Sequence, residues 1–417
     1  MKLLFADSGK TNFMKLRRVH QHLISRPLEN VDREVRSQLD KLDLKVPRGD
    51  VAITAGSRGI ANIATITKIA GEWLRDHGAR PFIIPAMGSH NGATAEGQQR
   101  MVESLGISEK AMGMPIRASM ECVKLGSVAT GDVWMDRYAY ESSGVLVLNR
   151  IKLHTCFSGS IQSGLVKMMV VGMGKIRSAE TFHSAPTDKM RDMLLEMGPV
   201  ILNSGKVWAG LAILEDGFDQ TAEIHALSAD QILAAEPSLV EKHRSYFPGL
   251  PVDDLNVLIV NEIGKTFSGT GMDTNVIGYR GVKGHEDLEK PNIRIIAALD
   301  LTAKSEGNAL GIGLADFCTR RLRDAINEEK TFINCYTTGD MQRMRIPATL
   351  ADDAEVIAKI AERYGEQRWM FIPNTLHLGN IYVSEDLAEE VASNPICKVD
   401  GESLELTFKD GRHQLVF

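Results

Sequence analysis

The sequence predicts an α/β protein of two α/β domains, with mainly parallel sheets and an active-site cleft between them. Three observations predict it. Short apolar runs repeatedly break into glycine-bearing turns that open helically spaced segments, as in a parallel sheet with crossover helices. The rhythm stops in a Pro/Gly cluster, Phe247-Pro248-Gly249-Leu250-Pro251, and then starts again. The chain has 417 residues, more than the roughly 250–300 that a single core serves. The expected domains are therefore residues 1–250, carrying the chemistry, and residues 251–417, closing the cleft.

In order, Asn30 to Leu44 has charge-rich helical character. Asp50-Val51-Ala52-Ile53-Thr54 is a strand that breaks into Ala55-Gly56-Ser57-Arg58-Gly59. Ile63, Ile66, Ala70, Trp73 and Leu74 then recur at close to helical spacing, and Gly78 closes that helix. Pro81 to Ala86 is the next strand; it breaks into Met87-Gly88-Ser89-His90-Asn91-Gly92 before a helix over Thr94–Leu105. Gly144 to Leu148 reads as a buried strand and runs into the segment Asn149–His183. Residues 187–250 read as helical and then looser. Beyond the cluster, strands are expected at Leu255–Val260, Ile293–Leu299 and Thr331–Tyr336, with helices at Ala309–Ile326 and Asp352–Tyr364. The Gly- and Thr-rich loop Gly264–Gly284 follows the first of these strands.

Bulk composition removes several classes of function. Hydrophobic residues make up 43% and charged residues 24%, which is ordinary for a globular protein. A net charge of -6 without any basic run argues against nucleic acid as a partner. The five cysteines are scattered and never spaced C-x-x-C, which fits a reducing compartment and no disulfide or cysteine–zinc scaffold. The start MKLLFADSGK lacks a signal-peptide core, and no run approaches about 18 apolar residues. A cytoplasmic protein that binds no membrane is expected.

Ligands of parallel α/β sheets bind outside the carboxyl ends of the strands. Three such ends carry Arg58, His90 and His154. Arg58 sits at a helix N-terminus, where free amides and a guanidinium fork suit a carboxylate or phosphate; a surface ion pair is the plain alternative. His90 and His154 can give and take protons near neutrality, or serve as turn histidines. Lys167 stands in an apolar, glycine-spaced run, which suits either a snorkelling side chain or covalent use. His183 ends the run without a second histidine at metal-binding spacing. Gly159, Gly164, Gly172 and Gly174 separate these side chains.

Arg58, His90, His154, Lys167 and His183, in this order and spacing, resemble the nickel-pincer lactate racemase family. The Lys167–His183 interval of sixteen, with Glu180-Thr181 before the histidine, is the most specific match. The resemblance implies a racemase or epimerase, an isomerase of a small 2-hydroxy acid. Arg58 would bind the substrate carboxylate, and His90 and His154 would be the catalytic acid/base pair. Lys167 would tether a nickel-pincer nucleotide through a thioamide, and His183 would ligate the nickel. Enzymes of cofactor synthesis are then implied partners.

Departures point to a paralogue with its own substrate. Ala55 replaces an acidic residue, Gly164-Leu165-Val166 replaces Gly-Gly-Arg, and about three extra residues separate His154 from Lys167. After Asp273-Thr274-Asn275, the substrate-binding lysine of the family is matched by Arg280 or Lys283. A relative that kept the anion site but lost cofactor use is the rival reading. A weaker one is kinship with iron–sulfur-associated proteins, against which the unclustered cysteines count.

Overall fold

The computed structural model describes residues 14–185, 187–282 and 286–417, with backbone only at His183, Ser184, Thr187, Asp188, Thr337 and Thr338. It is an α/β protein with two mainly parallel mixed sheets. The chain divides into two compact units, Ile24–Phe247 and the segment ending at Leu23 together with Pro248–Phe417.

The strand β1 (Lys15–Gln21) belongs to the second unit, so one domain over residues 1–250 is corrected at its N-terminus. Its pairing partners lie 360 or more residues away at Asn380 and beyond, where no local pattern reveals them.

Seven strands form the first unit: β2 (Gly49–Ala55), β3 (Ala79–Pro85), β4 (Cys122–Val128), β5 (Gly131–Asp136), β6 (Gly144–Arg150), β7 (Val207–Glu215) and β8 (Thr221–Ser228). The main sheet has the order β3-β2-β6-β7-β8; the first four strands are parallel and β8 is antiparallel, while β4 and β5 form a separate hairpin. Near-continuous apolar runs are what a sheet covered on both faces needs. Val51, Ile53, Ile83, Leu146 and Leu148 face one core with the helix Ile63–Asp76. Ala52, Phe82, Ile84, Val145 and Val147 face the other, which is built from Leu165, Val166, Met169 and Met173. The segment that follows β6 therefore supplies the core of one sheet face.

The second unit adds β9 (Asp254–Ile263), β10 (Asn292–Leu301), β11 (Phe317–Thr319), β12 (Ala348–Leu350), β13 (Trp369–Ile372), β14 (Asn380–Ser384) and β15 (Cys397–Glu405). Their order is β12-β11-β10-β9-β13-β14-β1-β15, parallel from β12 to β13 and antiparallel beyond.

Three local expectations fail for identifiable reasons. Residues 187–250 contain β7 and β8 between two helices; Gly210 interrupts the apolar run of β7 because a side chain there would meet Leu165 and Ile232. Residues 331–336 lie in the helix Glu328–Thr338, not a strand. Asn327 caps it by accepting the Lys330 N–H at 2.9 Å, and Phe332 and Ile333 are exposed instead of buried. Ala309–Ile326 is not one helix: Gly311 adopts a φ of +97°, and β11 and the short helix Arg320–Asp324 follow.

Candidate active site at the strand ends of the first unit

The chain order reverses between β2 and β6, so the crevice outside their carboxyl ends is the natural ligand position of this sheet. Arg58 lies just beyond β2, in the turn before the helix Ile63–Asp76. It is solvent-accessible on its outer side, yet surrounding protein desolvates the guanidinium and lowers its pKa, helped by the Arg150 charge. Arg150, at the end of β6, is ion-paired with buried Glu215 at the end of β7. Glu215 also accepts the Ala61 N–H at 2.7 Å, tying the turn that carries Arg58 to the sheet. The strand ends are thus electropositive, with Arg58 the arginine not committed to a carboxylate among the described residues.

His90 leaves the end of β3 on a turn in which Gly88 has a φ of +61°. The buried Gln98 side chain donates to the Gly88 carbonyl at 2.8 Å and holds that turn. His90 is exposed, and its Nδ1 is hydrogen-bonded to Ser57 Oγ, which adjoins Arg58. The bond fixes the ring of His90 beside Arg58. Ser57 was visible in the sequence only as a neighbour of Arg58; its contact with a residue 33 positions on was not.

His154 sits in a folded-back excursion between β6 and Lys167. Lys152 and Ser163 exchange backbone hydrogen bonds of 2.7 and 3.2 Å, and Asn149 Nδ2 donates to the Gly164 carbonyl at 2.8 Å. Inside this loop, buried Gln162 accepts the His154 N–H at 2.7 Å and donates to the Gly159 carbonyl at 3.0 Å. The imidazole stacks on Phe157, with centroids 4.1 Å apart.

The Cys156 N–H donates to His154 Nδ1 at 3.1 Å, so that nitrogen carries a lone pair and the ring proton of the neutral imidazole is on Nε2. Nε2 lies 2.8 Å from Lys167 Nζ. A protonated nitrogen facing the amine requires a lone pair on Nζ, so Lys167 is the neutral amine here. Burial acts in the same direction: it lowers the Lys167 pKa to about 8, against a small opposing effect of Cys156 and a further lowering by Arg58. Lys167 Nζ also lies 5.8 Å from the Phe182 ring centroid.

Lys167 ends the short helix Leu165–Lys167, and a π-helical turn, Met168–Gly172, follows directly. Such turns widen the helix and recur at functional positions. Glu236, fully buried on the helix Ile232–Tyr246, accepts the Val166 N–H at 3.0 Å and so caps the helix that carries Lys167. The sequence signal for it, one acid in the apolar run Leu233-Ala234-Ala235-Glu236-Pro237, went unused.

The glycines of this segment allow close internal packing. A side chain at Gly164 would collide with the Glu236 carboxyl, one at Gly174 with Ser178, and one at Gly172 would sit 2.7 Å from the Ala86 carbonyl oxygen. The His183 side chain and Lys283 lie outside the described residues, and among those described no group of three or more metal-ligating side chains is found. Arg280 is buried in the second unit. Its N–H donates to Asp287 at 2.8 Å, and its carbonyl accepts from Arg343 at 3.0 and 2.6 Å. All five cysteines are free thiols, and no helix among the described residues is long and apolar enough to cross a membrane.

Fold and strand-end chemistry together define a two-unit α/β protein with an arginine, two histidines and a neutral lysine on three neighbouring strand connections. No protein-family model and no curated protein sequence matches the chain. The fold is that of the lactate racemase apoprotein from Thermoanaerobacterium thermosaccharolyticum. The two share a TM-score of 0.51 and 13% sequence identity over 86% of this chain and 94% of that one. A protein from Thermotoga maritima gives a TM-score of 0.47 and 14% identity over 66% and 72%.

Proposed function

We propose that the protein is a racemase or epimerase of a 2-hydroxy acid that works with a lysine-tethered nickel-pincer nucleotide. The observation that carries this reading is the His154–Lys167 contact. A tether needs a neutral amine, and the His154 Nε2–H that faces Nζ is matched by one. The lactate racemase fold supports the reaction class. His183 would hold the nickel.

Arg58 binds the substrate carboxylate through its fork, in an electropositive crevice where the other arginine is neutralised by Glu215. When bound, the nucleotide supplies a reversible acceptor for the hydride on the hydroxyl-bearing carbon. His90 and His154 manage the hydroxyl proton. For one enantiomer the first histidine removes it and the second returns it on the other face of the planar intermediate; for the other enantiomer the roles exchange. Ser57 keeps the His90 ring oriented, and the Cys156 N–H keeps the His154 proton on its Nε2. Each positioned acid or base contributes on the order of 10²–10⁴-fold.

The protein made alongside cofactor-synthesis enzymes should carry a mass adduct on the Lys167 peptide, contain nickel, and interconvert the enantiomers of some 2-hydroxy acid on a chiral column. His90→Ala and His154→Ala should each remove that activity. Protein that emerges without adduct and without nickel under those conditions is not such a racemase, and the non-catalytic anion-binding reading would replace it.

A further inference from the structure

The same geometry has a consequence for the protein before any cofactor is attached. An amine held with its lone pair free is a carbonyl-reactive group as well as a tether. We propose that Lys167 of the cofactor-free protein forms an imine with 2-oxo acids, the carboxylate being held by Arg58 and His154 serving as proton donor.

Four observations converge on it. Cys156 fixes the His154 proton on Nε2, 2.8 Å from Nζ. Among the described residues no carboxylate is ion-paired with Lys167, and burial outweighs the stabilising effect of Cys156 on an ammonium. The positive charge of Arg58 acts on Lys167 and opposes its protonation further. The site also sits where a parallel sheet receives its ligand. A substrate that suits both residues carries a carbonyl carbon directly beside a carboxylate. The role of Arg58 is taken from the proposed function; the reactivity of Lys167 is not.

The entering carbonyl oxygen takes over from Nζ as the acceptor of the His154 Nε2–H, which releases the amine lone pair. Nζ attacks the carbonyl carbon, the C–N bond forms, and the C=O π pair takes one of the amine protons, giving the carbinolamine. The nitrogen pair then forms C=N as the C–O bond breaks. The departing hydroxyl takes the Nε2 proton and leaves as water, and the remaining proton on nitrogen returns to Nε2. Amine and 2-oxo acid give imine and water, with no redox partner required.

Protein made without cofactor-synthesis enzymes is incubated at pH 7 with glyoxylate and reduced with borohydride, and the modified peptides are mapped. At that pH Lys167 has roughly a hundredfold more free amine than an ordinary lysine, so its peptide should label far ahead of surface lysines. Lys167→Gln should abolish that adduct. Arg58→Gln should lower trapping of glyoxylate at least tenfold more than it lowers trapping of acetaldehyde, which has no carboxylate and registers only the loss of the Arg58 charge beside Lys167. Labelling of Lys167 no faster than that of surface lysines, or an Arg58→Gln protein that traps glyoxylate like the parent, overturns the inference. The two ideas fail separately. A nickel-loaded racemase that forms no imine when empty overturns this inference alone; an imine-forming protein that never acquires the nucleotide overturns only the racemase reading.

Discussion

Lys167 and Lys175 come from one segment, eight residues apart, and both are withdrawn from water, yet they end in opposite chemical states. Lys175 is fully buried, with its ammonium 3.0 Å from Oδ2 of the equally buried Asp136 and hydrogen-bonded to the Pro85 carbonyl. The carboxylate oxygen is off the hydrogen-bonding direction, so charge holds the pair. This cation ties the end of β3, from which His90 departs, to the β4–β5 hairpin. Among the described residues no carboxylate is paired with Lys167; it faces the proton of an imidazole. Partners, not burial, decide whether a buried lysine is a cross-link or a nucleophile.

The largest effect that tests this contrast comes from breaking the cross-link. Lys175→Met leaves Asp136 buried and unpaired and should cost about 3–5 kcal/mol, read in denaturant melts. The double variant Lys175→Met/Asp136→Leu removes both charges and should recover most of that loss. A single variant as stable as the parent would show that Lys175 is not the structural cation described.

Lys167→Met should act in the opposite direction. Its folded pKa, about 8, lies below the ordinary 10.5, so between those values the unfolded chain binds more protons than the folded one. The parent therefore gains stability as pH rises from 8 to 10.5 and carries the full penalty below 8. Replacing the lysine should raise stability by about 1–3 kcal/mol at pH 7 and by nothing above pH 10.5. A variant less stable than the parent at pH 7 would mean that burial does not penalise the ammonium at position 167.

The sequence carries the strand ends well and the contacts between them poorly. β2, β3 and β6 are short apolar runs that break into glycine turns, and that local pattern is enough to place Arg58, His90 and His154 on one edge of a sheet. The state of Lys167 is set by one backbone N–H, that of Cys156, and no residue pattern encodes the direction of a single amide. Glycine spacing does not say which neighbour the missing side chain makes room for; at Gly164 and Gly174 it is Glu236 and Ser178. The helix Glu328–Thr338 was misread because the run Thr331–Tyr336 is apolar, while Asn327 and the acids Glu328 and Glu329 of a helix start stand just before it. β1 was assigned to the wrong domain because strand pairing across the whole chain leaves no local trace.

The smallest expected effect tests the residue that positions Lys167 from beneath. Glu236 is completely buried, and burial raises its carboxyl pKa to about 7 against the lowering effect of the Val166 and Leu165 N–H groups. A carboxyl with a raised folded pKa holds its proton in the folded state between pH 4.5 and 7, whereas the unfolded chain has already lost it. Parent stability therefore falls as pH rises through that window and stays lower above it. Glu236→Gln keeps an oxygen for the Val166 N–H and cannot ionise, so its stability should be flatter from pH 4.5 to 7. It should exceed the parent by about 1–2 kcal/mol at pH 8. Because the cap on the Lys167 helix survives in this variant, trapping of glyoxylate at Lys167 should stay within about twofold of the parent. Parallel stability curves for the two proteins would show that Glu236 is ionised across the whole range and that its burial carries no such cost.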